Sequence, residues 1–144
     1  MELSITKEFG FEAAHQLTST CNTYGACENM HGHSYKLFVT VKGEVNEDGW
    51  IMNFKDLKLA VNTTIVDRLD HTTLNDSVHK MYMREMKECD MVFPEFVDEA
   101  MKKKLTTCEV MATMFLMILT NHFGPSKKVK IKLYETATSF CEVE

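Results

Sequence analysis

The stretch "HGHSYKLFVTVKGEV" (residues 31–45) decides the fold. His31, His33, Tyr35, Leu37, Val39 and Val41 share one parity, which is the alternation of a half-buried strand. "NEDG" (46–49) closes it with turn residues. Upstream, "LSITKEFGFEAAH" (3–15) alternates in the same way. Leu3, Ile5, Phe9, Phe11, Ala13 and His15 fall on one face, with Lys7 as the exception. The two strands are expected to pair antiparallel across a loop from about 16 to 30.

Downstream, "NFKDLKLAVNTTIVDRLD" (53–70) reads as a helix. Asn53 is its N-cap, and Phe54, Leu57, Val61, Ile65 and Leu69 form its apolar stripe. A second helix starts at "TTCE" (106–109), where Thr106 and Glu109 match a capping box, and stops at Gly124-Pro125. "KKVKIKLYETATSF" (127–140) is a last strand, with Val129, Ile131, Leu133 and Glu135 on one face. Of the intervening 78–104, the second half looks helical, with Pro94 near its first turn, acids early and Lys102–Lys104 late. The sum is one α+β domain of 144 residues, antiparallel strands covered on one face by helices.

Composition excludes several classes. The net charge of −5 offers no electrostatic reason for nucleic acid or an anionic membrane as partner. "VMATMFLMIL" (110–119) is too short to span a bilayer and reads as a buried helix. No apolar run follows a basic start, so no signal peptide is read. Five cysteines without a CxxC pair suit reduced thiols and a cytoplasmic protein.

The chemistry concentrates in "CENMHGH" (27–33). His31 and His33 project from one strand face roughly 6–7 Å apart, within reach of one ion. His15 ends the first strand on the matching parity. Three imidazoles with an open position describe a catalytic metal site; Cys27 as a fourth ligand would instead close a structural one. Both stay open at this level. "LDHTTLND" (69–76) sets Asp70 beside His71, a carboxylate able to orient a proton-carrying imidazole.

"FEAAH" (11–15), "CENMHGH" (27–33), "GWIMNFKDLK" (49–58), "RLDHTTLN" (68–75), "TTCE" (106–109) and "ETATSFCEV" (135–143) together resemble the 6-pyruvoyltetrahydropterin synthase/6-carboxytetrahydropterin synthase family. The resemblance spans nearly the whole chain except about 78–104. It implies the tunnelling fold: a four-stranded antiparallel sheet with two main helices on one face, here with a helical insertion. It also implies a homohexamer of two trimers. His15, His31 and His33 match the zinc ligands, Cys27 the general base, and Asp70 with His71 the proton relay. Glu135 matches the pterin anchor, and Thr107 and Glu109 a second substrate-contacting stretch. The implied substrate is 7,8-dihydroneopterin triphosphate.

Three residues separate Cys27 from His31, the spacing of the 6-carboxytetrahydropterin synthases; the pyruvoyl branch usually has two more. Glu28 also completes a Glu-x-x-His-Gly-His pattern, which marks a branch making 6-hydroxymethyl-7,8-dihydropterin. In an extended segment adjacent side chains diverge, so both bases could serve only if the loop turns. Glu109 has an equally good reading as part of the capping box. Asn53 stands where the family usually has Asp, and both cap helices well. The insertion suits a cover over the substrate entrance, an oligomer contact or a tolerated surface segment. Met81, Met83 and Met86 are read as packing residues, Cys89, Cys108 and Cys141 as buried thiols, and His79 and His122 as structural or surface residues.

Overall fold

The computed structural model describes residues 1–18 and 24–144. Much of the loop between the first strands, Cys21 included, therefore lies outside the described residues.

The two long strands form as their alternation dictates. β1 (Glu2–His15) and β2 (His31–Glu44) pair antiparallel over their full length, with Phe11 opposite Tyr35, Ala13 opposite His33 and His15 opposite His31. Their odd positions turn inward: Phe11, Tyr35, Leu37, Val39 and Val41 are all buried. Phe11 and Tyr35 stack at 4.8 Å between ring centroids. Asn46 then accepts from Gly49 N–H, and Gly49 takes a positive φ of 86° that suits glycine in the turn.

The sheet is larger than expected. Five strands run in the order β3-β1-β2-β4-β5, and the sheet is mixed rather than wholly antiparallel. β3 (Thr72–Thr73) lies parallel to β1, and β5 (Phe140–Val143) returns antiparallel along β4 (Lys128–Tyr134). β4 ends at Tyr134, so Glu135 sits past the strand in a turn closed by Glu135 N–H on Ser139 O, 3.1 Å.

Helices cover the inward face. Asn53 caps α1 (Phe54–Val61), its side chain accepting from Lys55 N–H at 2.8 Å. The rod continues through a π-turn (Asn62–Val66) into α2 (Asp67–Leu69). That widening has a physical cause. Leu57, Val61, Ile65 and Leu69 recur every fourth residue, and over three such steps a plain α-helix would rotate the stripe by about 120°. The extra residue of the π-turn cancels most of the drift, and all four side chains are fully buried. Phe54, expected in the same stripe, is 52% exposed because it stands one residue from the N-cap. Replacing Asn53 by Ala removes the cap and is expected to lower stability by about 1 kcal/mol, read as a shifted urea midpoint.

The insertion is more helical than the sequence suggested. α3 (Leu74–Glu88) starts before residue 78, and α4 (Glu95–Lys102) follows. Neither is a mere surface addition: Val78, Met81, Phe93, Val97 and Met101 are buried in the common core. Glu85, nearly buried, ties α3 to α2 through Arg68 at 3.4 Å. Tyr82 donates to Asp98 at 2.6 Å, joining α3 to α4. Met81 packs as expected, but Met83 and Met86 face outward on the other side of α3. Cys89, at the end of α3, is exposed rather than buried. α5 (Cys108–Phe123) packs on β4 and β5 and ends at Gly124, whose φ is 78°. Among the described residues no helix is long and apolar enough to cross a membrane.

Candidate metal and substrate site

Three imidazoles meet on the inward face where β1 ends and β2 begins. Strand parity turns His15, His31 and His33 to one side, and antiparallel register sets His15 opposite His31. Their ring centroids lie 4.7, 4.9 and 5.3 Å apart. Among the described residues these three form the only His, Cys, Asp or Glu cluster suited to a metal ion, with ligand atoms all within 4.8 Å of one another. Cys27 is not in that set.

Hydrogen bonding on the far side of two rings fixes their chemistry. Nδ1 of His15 lies 3.1 Å from the carbonyl oxygen of Thr106 and 3.0 Å from its hydroxyl. Nδ1 of His31 lies 2.7 Å from the carbonyl oxygen of Asn29. A carbonyl only accepts, so each Nδ1 carries the proton and each Nε2 presents a lone pair inward. All three Nε2 atoms are buried without a hydrogen-bond partner. Buried polar atoms are rarely left so, and three converging lone pairs are what a divalent cation requires. Burial holds the His33 imidazole below its usual pKa, partly opposed by Glu135, so this ring too favours the neutral form that binds metal.

Thr106 is a residue that sequence reasoning missed. The capping box was expected on Thr106 and Glu109, but the N-cap of α5 is Thr107, which accepts from Val110 N–H at 3.3 Å. Thr106 is instead fully buried and positions His15. Two adjacent threonines can each cap; contact with His15 decides between them. Thr106→Val keeps the shape and the carbonyl but removes the hydroxyl. It should weaken metal binding by about tenfold, the low end for a residue that orients a ligand, as measured by competition with a chelator.

The capping shift releases Glu109 from its structural role. Thr107, Glu109 and Glu135 line one cavity of about 210 Å³, together with Cys108, Phe140 and Cys141. Burial pushes the Cys108 thiol up to about 12, and it donates to Leu133 O at 3.1 Å, so it is a packing group. Cys108 and Cys141 are half-buried. The Glu135 carboxylate reaches from this cavity to the imidazoles: Oε1 lies 3.3 Å from His15 Nε2 and 3.4 Å from His33 Nε2.

Cys27 and Glu28 lie in a single 3-10 turn (Gly25–Glu28) just ahead of β2. The turn is anchored by Leu17 N–H on Cys27 O, 2.8 Å. Cys27 is exposed and Glu28 half-exposed. A 3-10 turn separates successive side chains by about 120° rather than 180°, which meets the condition that the loop must turn.

Asp70 and His71 follow α2. Asp70 Oδ1 accepts from Glu12 N–H at 2.9 Å and lies 3.0 Å from His71 Nδ1. The Glu12 amide, then His71, holds the Asp70 carboxyl below its ordinary range. His71 has φ 60°, a left-handed conformation uncommon outside glycine, retained by its N–H on Glu12 O at 2.6 Å. Its ring is largely exposed. It shares a shallow groove with His33, Ser34 and Thr72, so the structure sets it beside the cluster but not in it.

A mixed five-stranded sheet bearing a three-imidazole pocket defines the class, and sequence comparison places the chain within it. The sequence pattern of the 6-pyruvoyl tetrahydropterin synthase family matches residues 4–144. The chain belongs to that family. It is 32% identical over 150 residues to the 6-carboxy-5,6,7,8-tetrahydropterin synthase of Haemophilus influenzae, covering 97% of each chain. It is 30% identical over 145 residues to human 6-pyruvoyl tetrahydrobiopterin synthase, covering 94% of this chain and 86% of that one. The fold is similar to that of Caenorhabditis elegans 6-pyruvoyl tetrahydropterin synthase, with a TM-score of 0.72 at 22% identity over 100% of this chain and 96% of the other.

Proposed function

We propose that the protein is a zinc-dependent lyase that converts 7,8-dihydroneopterin triphosphate to 6-carboxy-5,6,7,8-tetrahydropterin. The observation that carries this is the trio of buried, unpartnered Nε2 atoms with two Nδ1 positions already committed to carbonyls. His15, His31 and His33 would hold the ion; when bound, zinc polarises side-chain oxygens of the substrate and stabilises developing negative charge. The full-length likeness to a 6-carboxy-5,6,7,8-tetrahydropterin synthase and the short Cys27–His31 spacing favour the carboxy product.

Each remaining residue has a task that its chemistry suits. Cys27, exposed on its turn, takes the carbon-bound proton as thiolate. Asp70 orients His71, which relays protons to and from the substrate oxygens. Glu135 accepts the pterin N3–H and 2-amino group in a forked, charge-assisted pair, while Thr107 and Glu109 line the same cavity. Six copies are expected to assemble as two trimers, covering the exposed edges that β3 and β5 leave on each sheet. We assign the protein to the cytoplasm.

A second reading follows from the 3-10 turn that carries both Cys27 and Glu28. Glu28 would act as base on a hydroxyl, giving 6-hydroxymethyl-7,8-dihydropterin alongside the carboxy product. A third outcome, loss of triphosphate alone, would make the protein a 6-pyruvoyltetrahydropterin synthase. Incubation with dihydroneopterin triphosphate and zinc, followed by mass spectrometry, separates the three. Acetaldehyde marks the carboxy route, a glycolaldehyde-type fragment the hydroxymethyl route, and triphosphate without aldehyde the pyruvoyl route. No turnover, with zinc bound, would leave a pterin-binding module and refute the enzyme.

A further inference from the structure

We infer that Arg68, Lys80 and Arg84 form a second binding site, between α2 and α3, for a phosphoryl group carried by inorganic phosphate or by a nucleotide. The site lies apart from the metal centre and does not depend on how that centre is read.

Arginine occurs only twice in the chain, at 68 and 84, among 16 lysines and arginines. Both arginines line one cavity of about 230 Å³, together with Ser77, Lys80 and Met81. None of these residues lines the groove of His33 and His71 or the cavity of Thr107 and Glu109. Helical spacing builds the wall. Ser77, Lys80 and Arg84 follow one another at three and four residues along α3, so they share a face, and Arg68 meets that face from α2.

The placement runs against simple electrostatics. Lys80 and Arg84 stand four apart on α3, where like charges repel, and Arg68 adds a third cation. No acid lines the cavity, although the chain carries a net charge of −5. The carboxylates nearby leave most of the arginine donors unused. Glu85 accepts one N–H of Arg68 at 3.4 Å, and Glu88 accepts the Nε–H of Arg84 at 3.0 Å. Each guanidinium offers five N–H donors. Among the described residues Lys80 pairs with no acid. A doubly charged tetrahedral oxyanion balances such a trio. Each planar arginine fork can grip two of its oxygens, and Lys80 supplies a point charge. The cavity admits the phosphoryl group and leaves an attached nucleoside outside. Lys80 and Arg84 come from the insertion and Arg68 from the first helical rod, so a bound anion bridges the two.

Isothermal titration calorimetry tests this on the full chain with zinc present, using inorganic phosphate and AMP. Both ligands should bind the wild-type protein. Arg84→Gln and Lys80→Gln should each weaken binding by about 10–100-fold, the loss that follows removal of a charge-assisted hydrogen bond. Both side chains stand on exposed residues, and far-UV circular dichroism checks that the variants are folded. His33→Ala should bind phosphate like the wild type, which separates this site from the metal centre. Equal affinity for the two ligands assigns recognition to the phosphoryl group alone, and tighter binding of AMP identifies a nucleotide as its source. Wild-type affinity in both folded variants, loss of binding in His33→Ala alone, or no binding of either ligand up to about 1 mM by the wild-type protein overturns the inference.

Discussion

Stripping the metal should silence the protein, and zinc added back should restore it. A bound cation supplies several kcal/mol to the transition state of such a reaction, so loss of at least about 10³-fold in kcat is expected. His33→Ala should match the chelated protein, since two imidazoles remain where three converged. His33 suits this better than His15, which is fully buried and would leave a cavity; the His33 side chain is 18% exposed. Metal content, circular dichroism and turnover of dihydroneopterin triphosphate are measured on the same samples. A metal-free, folded protein that kept its rate would end the zinc proposal.

Cys27→Ala should lower the rate by about 10²–10⁴, the usual contribution of a positioned acid or base, and leave zinc content unchanged. The two readouts discriminate between the roles open to this thiol. A closed structural site would lose affinity for the ion when Cys27 went; a general base would not. The structure favours the second, because Cys27 lies outside the convergent ligand set and its turn is exposed. Glu28→Ala tests the neighbouring position by product ratio. Disappearance of the hydroxymethyl product alone would assign Glu28 to that branch, and an unchanged ratio would refute its catalytic role.

Much of this site was legible in the sequence because it lies on strands. Period-two alternation fixes parity, and parity brings His15, His31 and His33 to one face. Asn53 was legible as a cap because an N-cap is a local device. What escaped depends on tertiary contact or is too short to carry a period. β3 has two residues and β5 four, so neither displays alternation. The choice of Thr107 over Thr106 as cap is made by His15, 91 residues from Thr106 in the chain. α3 escaped because its outward face carries Met83 and Met86, which blur the polar side of the helical pattern. Glu135 was placed on a strand face because Val129, Ile131 and Leu133 predict its parity, but the chain turns one residue too soon.

The widened turn at Asn62–Val66 makes the first helical rod a length standard for the chemistry beyond it. Delete one residue from α1 while the widened turn stays, and the far end of the rod faces about 100° away from Glu12, taking the Asp70–His71 pair with it; a deletion within the turn itself returns it to ordinary helix with both ends in register. Loops forgive a missing residue by slackening; this rod can give up one only at its widened turn. Lineages of the protein should therefore trade residues freely at 46–49 and, between Asn53 and Asp70, only a single residue within the widened turn.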